Sequence, residues 1–300
     1  MHKDRHSFKG VVAANVTPYD SDGNINEDAY RKVMEYDIQA GVSGFWIAGG
    51  AGEGVLLDDD ERIRLAQISV DQAKGRAKTI LHAGALTTRS TVKIAEGAAK
   101  AGVDAIACVP PCFYRPSDRA IIEHYKAVGS ATGLPLFLYN WPGATGVEIM
   151  PPLMAKIADA VPELAGAKHS APNLLNLRAF VNMGLVMFVG NSGTTLPALS
   201  IGAAGTIDGP PCVFPKEFVA IYDAYIRGDL SGAQQAQEKA TCLRDAIFDS
   251  PAVVAYHAAF KAVLSVKLGV DCGVPRPPLL PLTEEQRQGV LSKLKELGGL

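Results

Sequence analysis

The sequence lacks most of the features that would narrow its role at once. Neither charge is in excess: 29 Lys and Arg stand against 31 Asp and Glu, a formal net charge of −2. Such a balance leaves no basic footprint for nucleic acid or an anionic membrane surface. Aromatic residues are 7% and charged residues 20% of the chain, but 48% is hydrophobic, which excludes disorder and allows a large core. No apolar run reaches the roughly 18 residues that a membrane span requires. The N-terminal Met1, His2, Lys3, Asp4, Arg5 and His6 lead into no apolar signal core, so a cytoplasmic location is expected. The five cysteines, Cys108, Cys112, Cys212, Cys242 and Cys272, are odd in number and scattered, with no C-x-x-C. They read as reduced thiols. Cys108 and Cys112 are followed by no further ligands at zinc spacing, so no metal site is expected.

What is present is alternation. Short apolar runs at Gly10–Val16, Gly44–Ala48, Thr79–Ala83, Asp104–Val109, Pro135–Tyr139, Leu164–Lys168, Leu185–Val189 and Gly205–Asp208 make eight candidate strands. Between them, Asn26–Ala40, Asp58–Ala73 and Ser90–Ala101 carry apolar residues at helical spacing behind plausible caps. Strands that are almost wholly apolar are covered on both faces, which implies a parallel sheet. No G-x-G-x-x-G turn follows the first strand, and eight βα units within about 210 residues suit a closed (β/α)8 TIM barrel. The expected fold is therefore α/β. The barrel is assigned to residues 1–212, and residues 213–300 form a C-terminal helical extension packed on it as one structural unit. Phe214–Gly228, Ser231–Phe248, Val253–Leu268 and Glu284–Leu297 are its expected helices, the last set off by the Pro-rich stretch Gly273–Pro281.

In such a barrel the chemistry sits at the C-terminal ends of the strands, so residues there carry the functional weight. Strand six ends in Lys168, the only lysine to end a strand in this reading. Placed in the mouth, its amine is desolvated and becomes a nucleophile toward carbonyls; turned outward, it is an ordinary solvated loop residue. Strand five ends in Tyr139, a phenol able either to relay protons beside that amine or merely to satisfy a backbone group. The loop Gly49–Gly54 can converge backbone N–H groups on an anion, as can Gly190–Gly193 and Gly205–Gly209. His82 and His169 end or follow strands and are weaker candidates for substrate contact. The acidic run Asp58–Glu61 reads as support for a helix dipole.

Taken together, Thr17-Pro18, the G-x-x-G-E of Gly49–Glu53, Tyr139-Asn140-x-Pro142, Gly166-x-Lys168, Gly190 and Gly205-x-Ile207 resemble the dihydrodipicolinate synthase / N-acetylneuraminate lyase family of class I aldolases. The resemblance spans the whole chain. It implies that Lys168 forms a Schiff base with a 2-oxo acid, pyruvate in most members, that Tyr139 shuttles protons, and that the Gly50 and Ala51 amides grip the carboxylate. An aldehyde would be the second partner, without metal or organic cofactor. Family members are commonly homotetramers or homodimers. Phe113, Trp141, Gly190, Ser192 and Ile207 complete the expected substrate-binding set.

The departures are equally informative. Dihydrodipicolinate-forming members have hydroxyl residues where this chain has Gly50 and Ala51, a tyrosine at Phe113 and an arginine at Ala144, so lysine biosynthesis is not expected. Sugar-binding residues of the sialic acid lyases are replaced by Ser192, Gly193 and Gly209. Cys112, Phe113, Trp141, Pro210 and Pro211 would instead give the mouth an apolar rim. That rim suits a small or partly apolar aldehyde with polar contacts from Tyr114, Arg115, Asn191 or Ser192. The alternatives are a deoxy-oxo-sugar-acid dehydratase using the same imine, a synthase-like protein of altered or lost activity, a binding barrel without catalysis, and a phosphate-binding barrel enzyme without an imine.

Overall fold

The computed structural model describes residues 5–248 and 256–300. Of the expected helix Val253–Leu268, residues 253–255 lie outside the described residues, as do Met1 to Asp4 at the N-terminus. Eight strands form one closed parallel barrel in sequence order. They are β1 Gly10–Ala13, β2 Gly44–Ile47, β3 Lys78–His82, β4 Ala105–Cys108, β5 Leu136–Asn140, β6 Leu164–His169, β7 Val186–Val189 and β8 Gly205–Asp208. β8 closes on β1 with Val12 opposite Ile207. The all-apolar runs are explained by this arrangement, since helices cover the outer face of every strand while side chains fill the interior.

Local signals set the helix ends. Asn26 caps Glu27–Gln39 by accepting from the Ala29 N–H, and Thr87 caps Thr88–Ala101 through Ser90. The acidic run opens Asp59–Ala73 as a capping box, in which the Glu61 carboxylate accepts the Asp58 N–H at 2.9 Å. The helix Pro215–Ile226 buries Phe218 and Ile221 and packs on β1, so it completes the outer ring of the barrel. The remaining helices, Leu230–Phe248, Tyr256–Leu268 and Glu284–Glu296, form the extension. Among the described residues no helix is long and apolar enough to cross a membrane.

One irregularity bears on the site. Between β5 and β6 the register runs from Leu136 opposite Leu164 to Phe137 opposite Gly166, so Ala165 is an extra residue on β6. Beyond this bulge Tyr139 stands opposite Lys168. Gly166, just after it, lies so close to β7 that a methyl group there would overlap the Val186 carbonyl oxygen.

A buried ion pair lashes the extension to the barrel. Lys261 Nζ lies 2.6 Å from Glu53 Oε1, and both side chains are 0% exposed. The same lysine donates to the Val274 carbonyl at 3.1 Å, and the Arg276 N–H donates to Glu53 Oε2 at 2.7 Å. The Pro-rich stretch is thereby pinned against the loop after β2.

Candidate active site

Lys168 is the penultimate residue of β6, and the alternation of the strand turns it into the barrel mouth, where it is 3% exposed. Its nitrogen lies 4.4 Å from the centroid of the Tyr139 ring and 5.4 Å from that of Trp46. Burial pulls its pKa down to about 8, while the Asp208 carboxylate opposes the shift. About a tenth of the amine is therefore uncharged near neutral pH, far more than in a solvated lysine, and this is the state that attacks carbonyls.

Tyr139 is held by rings on several sides. Trp141 stacks on it at 5.4 Å, and Trp46 and His82 meet it edge-on at 5.4 and 5.6 Å. Burial pushes the phenol well above its ordinary pKa, with a hydrogen bond from Ser170 acting the other way. The resting phenol therefore keeps its proton. His82 stands against the aromatic cluster with Nδ1 at 3.2 Å from the Ala48 carbonyl, and burial pushes its pKa down to about 3, so it is neutral there.

The loop after β2 is built to present backbone amides. Thr17 Oγ1 donates to the Gly52 carbonyl at 2.7 Å, Glu53 turns the chain with a left-handed φ of 57°, and His257 Nε2 is 3.0 Å from the Gly50 carbonyl. Among the described residues the Gly50 and Ala51 N–H groups have no acceptor. Gly50 is open for a packing reason: a Cβ there would stand 3.0 Å from Trp141 Cζ3.

These elements enclose a cavity of about 240 Å³ lined by Lys168, Tyr139, Trp141, Ala51, Gly190 and Ser170, with Asn191, Asp208, Arg244, Phe248 and Tyr256 closing the rest of the wall. Of the residues singled out in the sequence, Gly50 borders this space through Trp141. Ser192 and Ile207 are fully buried and do not line it. Phe113 is 84% exposed with φ 76°, and Tyr114 beside it is also exposed; neither reaches the cavity of its own chain. Pro210 and Pro211 are buried in a short helix and form no rim. His169 faces the β6 surroundings, with its ring nitrogens near Asn140 Nδ2 and the Asn173 carbonyl.

Arg244, Phe248 and Tyr256 carried no signal in the sequence, because the extension brings them over the mouth only through long-range packing. Asp208 and Ser170 could have been found as the residue that ends strand eight and the second residue after Lys168.

Residues 7–297 match the dihydrodipicolinate synthetase family. A 4-hydroxy-tetrahydrodipicolinate synthase of Maridesulfovibrio salexigens is 31% identical over 295 residues, covering 97% of this chain and 99% of that protein. Among solved structures, dihydrodipicolinate synthase from Bacillus anthracis superimposes with a TM-score of 0.88 at 28% identity, covering 98% of this chain and 99% of that one. The N-acetylneuraminate lyase of Proteus mirabilis shares the fold, with a TM-score of 0.89 at 24% identity and coverage of 98% and 99%. The chain belongs to the dihydrodipicolinate synthetase family and is an enzyme of the class I, Schiff-base-forming lyase and synthase type.

Proposed function

We propose that the protein makes or breaks a carbon–carbon bond next to the carbonyl of a 2-oxo acid, pyruvate being the fragment common to both directions. The observation that carries this reading is a buried amine with a lowered pKa, facing a protonated phenol in register on the next strand. Neutral Lys168 Nζ adds to the ketone carbon. One proton of the attached nitrogen passes to the former ketone oxygen, Tyr139 gives that hydroxyl a second, and it leaves as water, so the nitrogen is left as a protonated imine beside a phenolate. In the cleavage direction that phenolate takes the proton of the hydroxyl on the second carbon beyond the imine. The bond between the two carbons breaks, its electron pair moves into the imine to give an enamine, and the far fragment departs as an aldehyde. Tyr139 returns the proton to the enamine carbon, and hydrolysis frees pyruvate and the amine. Condensation is the same sequence reversed.

In this reading the Gly50 and Ala51 amides, which have no acceptor among the described residues, hold the 2-oxo acid carboxylate through backbone N–H groups alone. An aldehyde as second substrate and the expected homodimer or homotetramer belong to the same proposal. The exposed Val55, Leu86, Phe113 and Tyr114 on the loops after β2, β3 and β4 support self-association. Light scattering on the purified protein checks the subunit number.

The test of the chemistry is borohydride reduction in the presence of pyruvate, followed by peptide mass analysis. A covalent adduct on Lys168 is expected. An unmodified Lys168 overturns the imine reading.

A further inference from the structure

Among the described residues, the wall of the cavity contributed by the loop after β7 and by the extension is rich in free hydrogen-bond donors and has no free carboxylate. Asp208 is the one acid lining it among the described residues, and both its oxygens are engaged: Oδ2 accepts the Ser192 N–H at 2.8 Å and Oδ1 the Gly209 N–H at 2.9 Å. Asn191 spends its Oδ1 on the Gly193 N–H at 3.2 Å, which leaves its amide NH₂ free to donate. The Tyr256 hydroxyl lines the cavity with no hydrogen-bond partner among the described residues.

Arg244 completes the set. Its guanidinium lies over the Phe248 ring at 4.9 Å, and Nη1 is bound to the Asp245 carboxylate, so the group is held in place on two sides. Nε and Nη2 have no protein acceptor among the described residues. A Cβ built on Gly193 would lie 3.3 Å from Asn191 Oδ1 and 3.8 Å from Arg244 Nε and Cζ, so the two side chains converge over one bare patch of backbone. The absence of a side chain at Gly193 keeps that space open.

We infer that Arg244 and Asn191 form an anion subsite for a second carboxylate, and hence that the substrate is a 2-oxo acid carrying a carboxylate at the end away from the ketone. Its aldehyde fragment is then itself an acid. This rests on the Lys168 imine reading, which fixes the ketone end of the molecule. A single guanidinium in a cavity that is also lined by the Asp208 carboxyl suits a monoanionic planar group better than a phosphate dianion. The apolar surface of Trp141 and Phe248 covers the stem between the two ends. The small or partly apolar aldehyde expected from the sequence rested on a rim of Cys112, Phe113, Trp141, Pro210 and Pro211, of which only Trp141 lines the cavity.

The test compares 2-oxopentanedioate with 2-oxopentanoate, acids of equal length that differ in the distal carboxylate, by titration calorimetry on the full chain. The wild type is expected to bind the diacid about 10- to 100-fold more tightly, the range of a charge-assisted hydrogen-bonded pair. Arg244→Gln should abolish that preference while leaving the affinity for 2-oxopentanoate and the borohydride-trapped pyruvate adduct on Lys168 unchanged. Arg244→Lys should retain part of it. Equal binding of the two acids by the wild type overturns the subsite, as does a loss in Arg244→Gln that is shared by both acids. A preserved preference for the diacid without any Lys168 adduct would instead overturn the imine and leave the subsite standing.

Discussion

Lys168 Nζ faces the ring of Tyr139 at 4.4 Å, and the two residues are direct partners across β5 and β6. The amine is thus held against a π surface, which favours its charged form, within a dry pocket that favours the neutral one. Burial dominates, and the amine is set near the middle of its titration at about 8. Replacing Lys168 by Ala should abolish turnover and the trapped adduct together. Detectable adduct on another lysine would show that the nucleophile lies elsewhere.

Tyr139→Phe keeps the ring that packs against Trp141, Trp46 and His82 and removes only the proton. Turnover should fall by about 10²–10⁴-fold, the usual scale for a general acid–base group, with the pyruvate adduct still formed at equilibrium. Unchanged steady-state rates would remove the phenol from the chemistry.

The pH dependence has a definite sign. Only the uncharged amine attacks, so the rate of adduct formation should climb as pH rises through about 8 and level off above it. Asp208 raises the pKa of Lys168, so Asp208→Asn should move the midpoint toward acid while an amide oxygen keeps one of the two backbone bonds. A midpoint that stays put or moves toward alkali contradicts this account.

Glu53 and Lys261 neutralise each other in full burial, so removing one partner strands a charge. Lys261→Met should cost about 3–5 kcal/mol of stability, seen as a lower denaturation midpoint. The loop with Gly50 and Ala51 is tied to Glu53, so the KM for pyruvate should rise in the fraction that remains folded. A neutral result in both assays would reduce the pair to packing.

The wall of Trp141 explains why residue 50 carries no side chain. Gly50→Thr should destabilise the protein by about 1–3 kcal/mol through overpacking against the indole. Trp141→Phe introduced with it should recover part of the loss. The coupling is read from a double-mutant cycle of stability, and strict additivity would show that the two positions do not meet.

Much of the architecture was legible because a barrel strand needs apolar residues on both faces, and the runs Pro135–Tyr139 and Leu164–Lys168 fall within a residue of the observed Leu136–Asn140 and Leu164–His169. That Lys168 and Tyr139 end two such runs followed with them, but whether the lysine turned into the mouth or outward stayed open until the rings of Tyr139 and Trp46 were seen around it. Orientation did not follow from motif position. Ser192 belongs to a recognisable loop, yet its side chain turns into the interior, and Phe113 follows β4 but points away from the cavity. Arg244 and Tyr256 were hidden for another reason: helix periodicity tells which face is buried but not what lies opposite it.

The extra residue Ala165 stands unpaired on β6. Deleting that alanine would make Leu164 and Gly166 consecutive, in step with Leu136 and Phe137, so the strand would keep its partners and its two faces. What would be lost is the extra bend that the unpaired residue puts into the strand, and with it the angle at which the reactive nitrogen is offered to an incoming ketone.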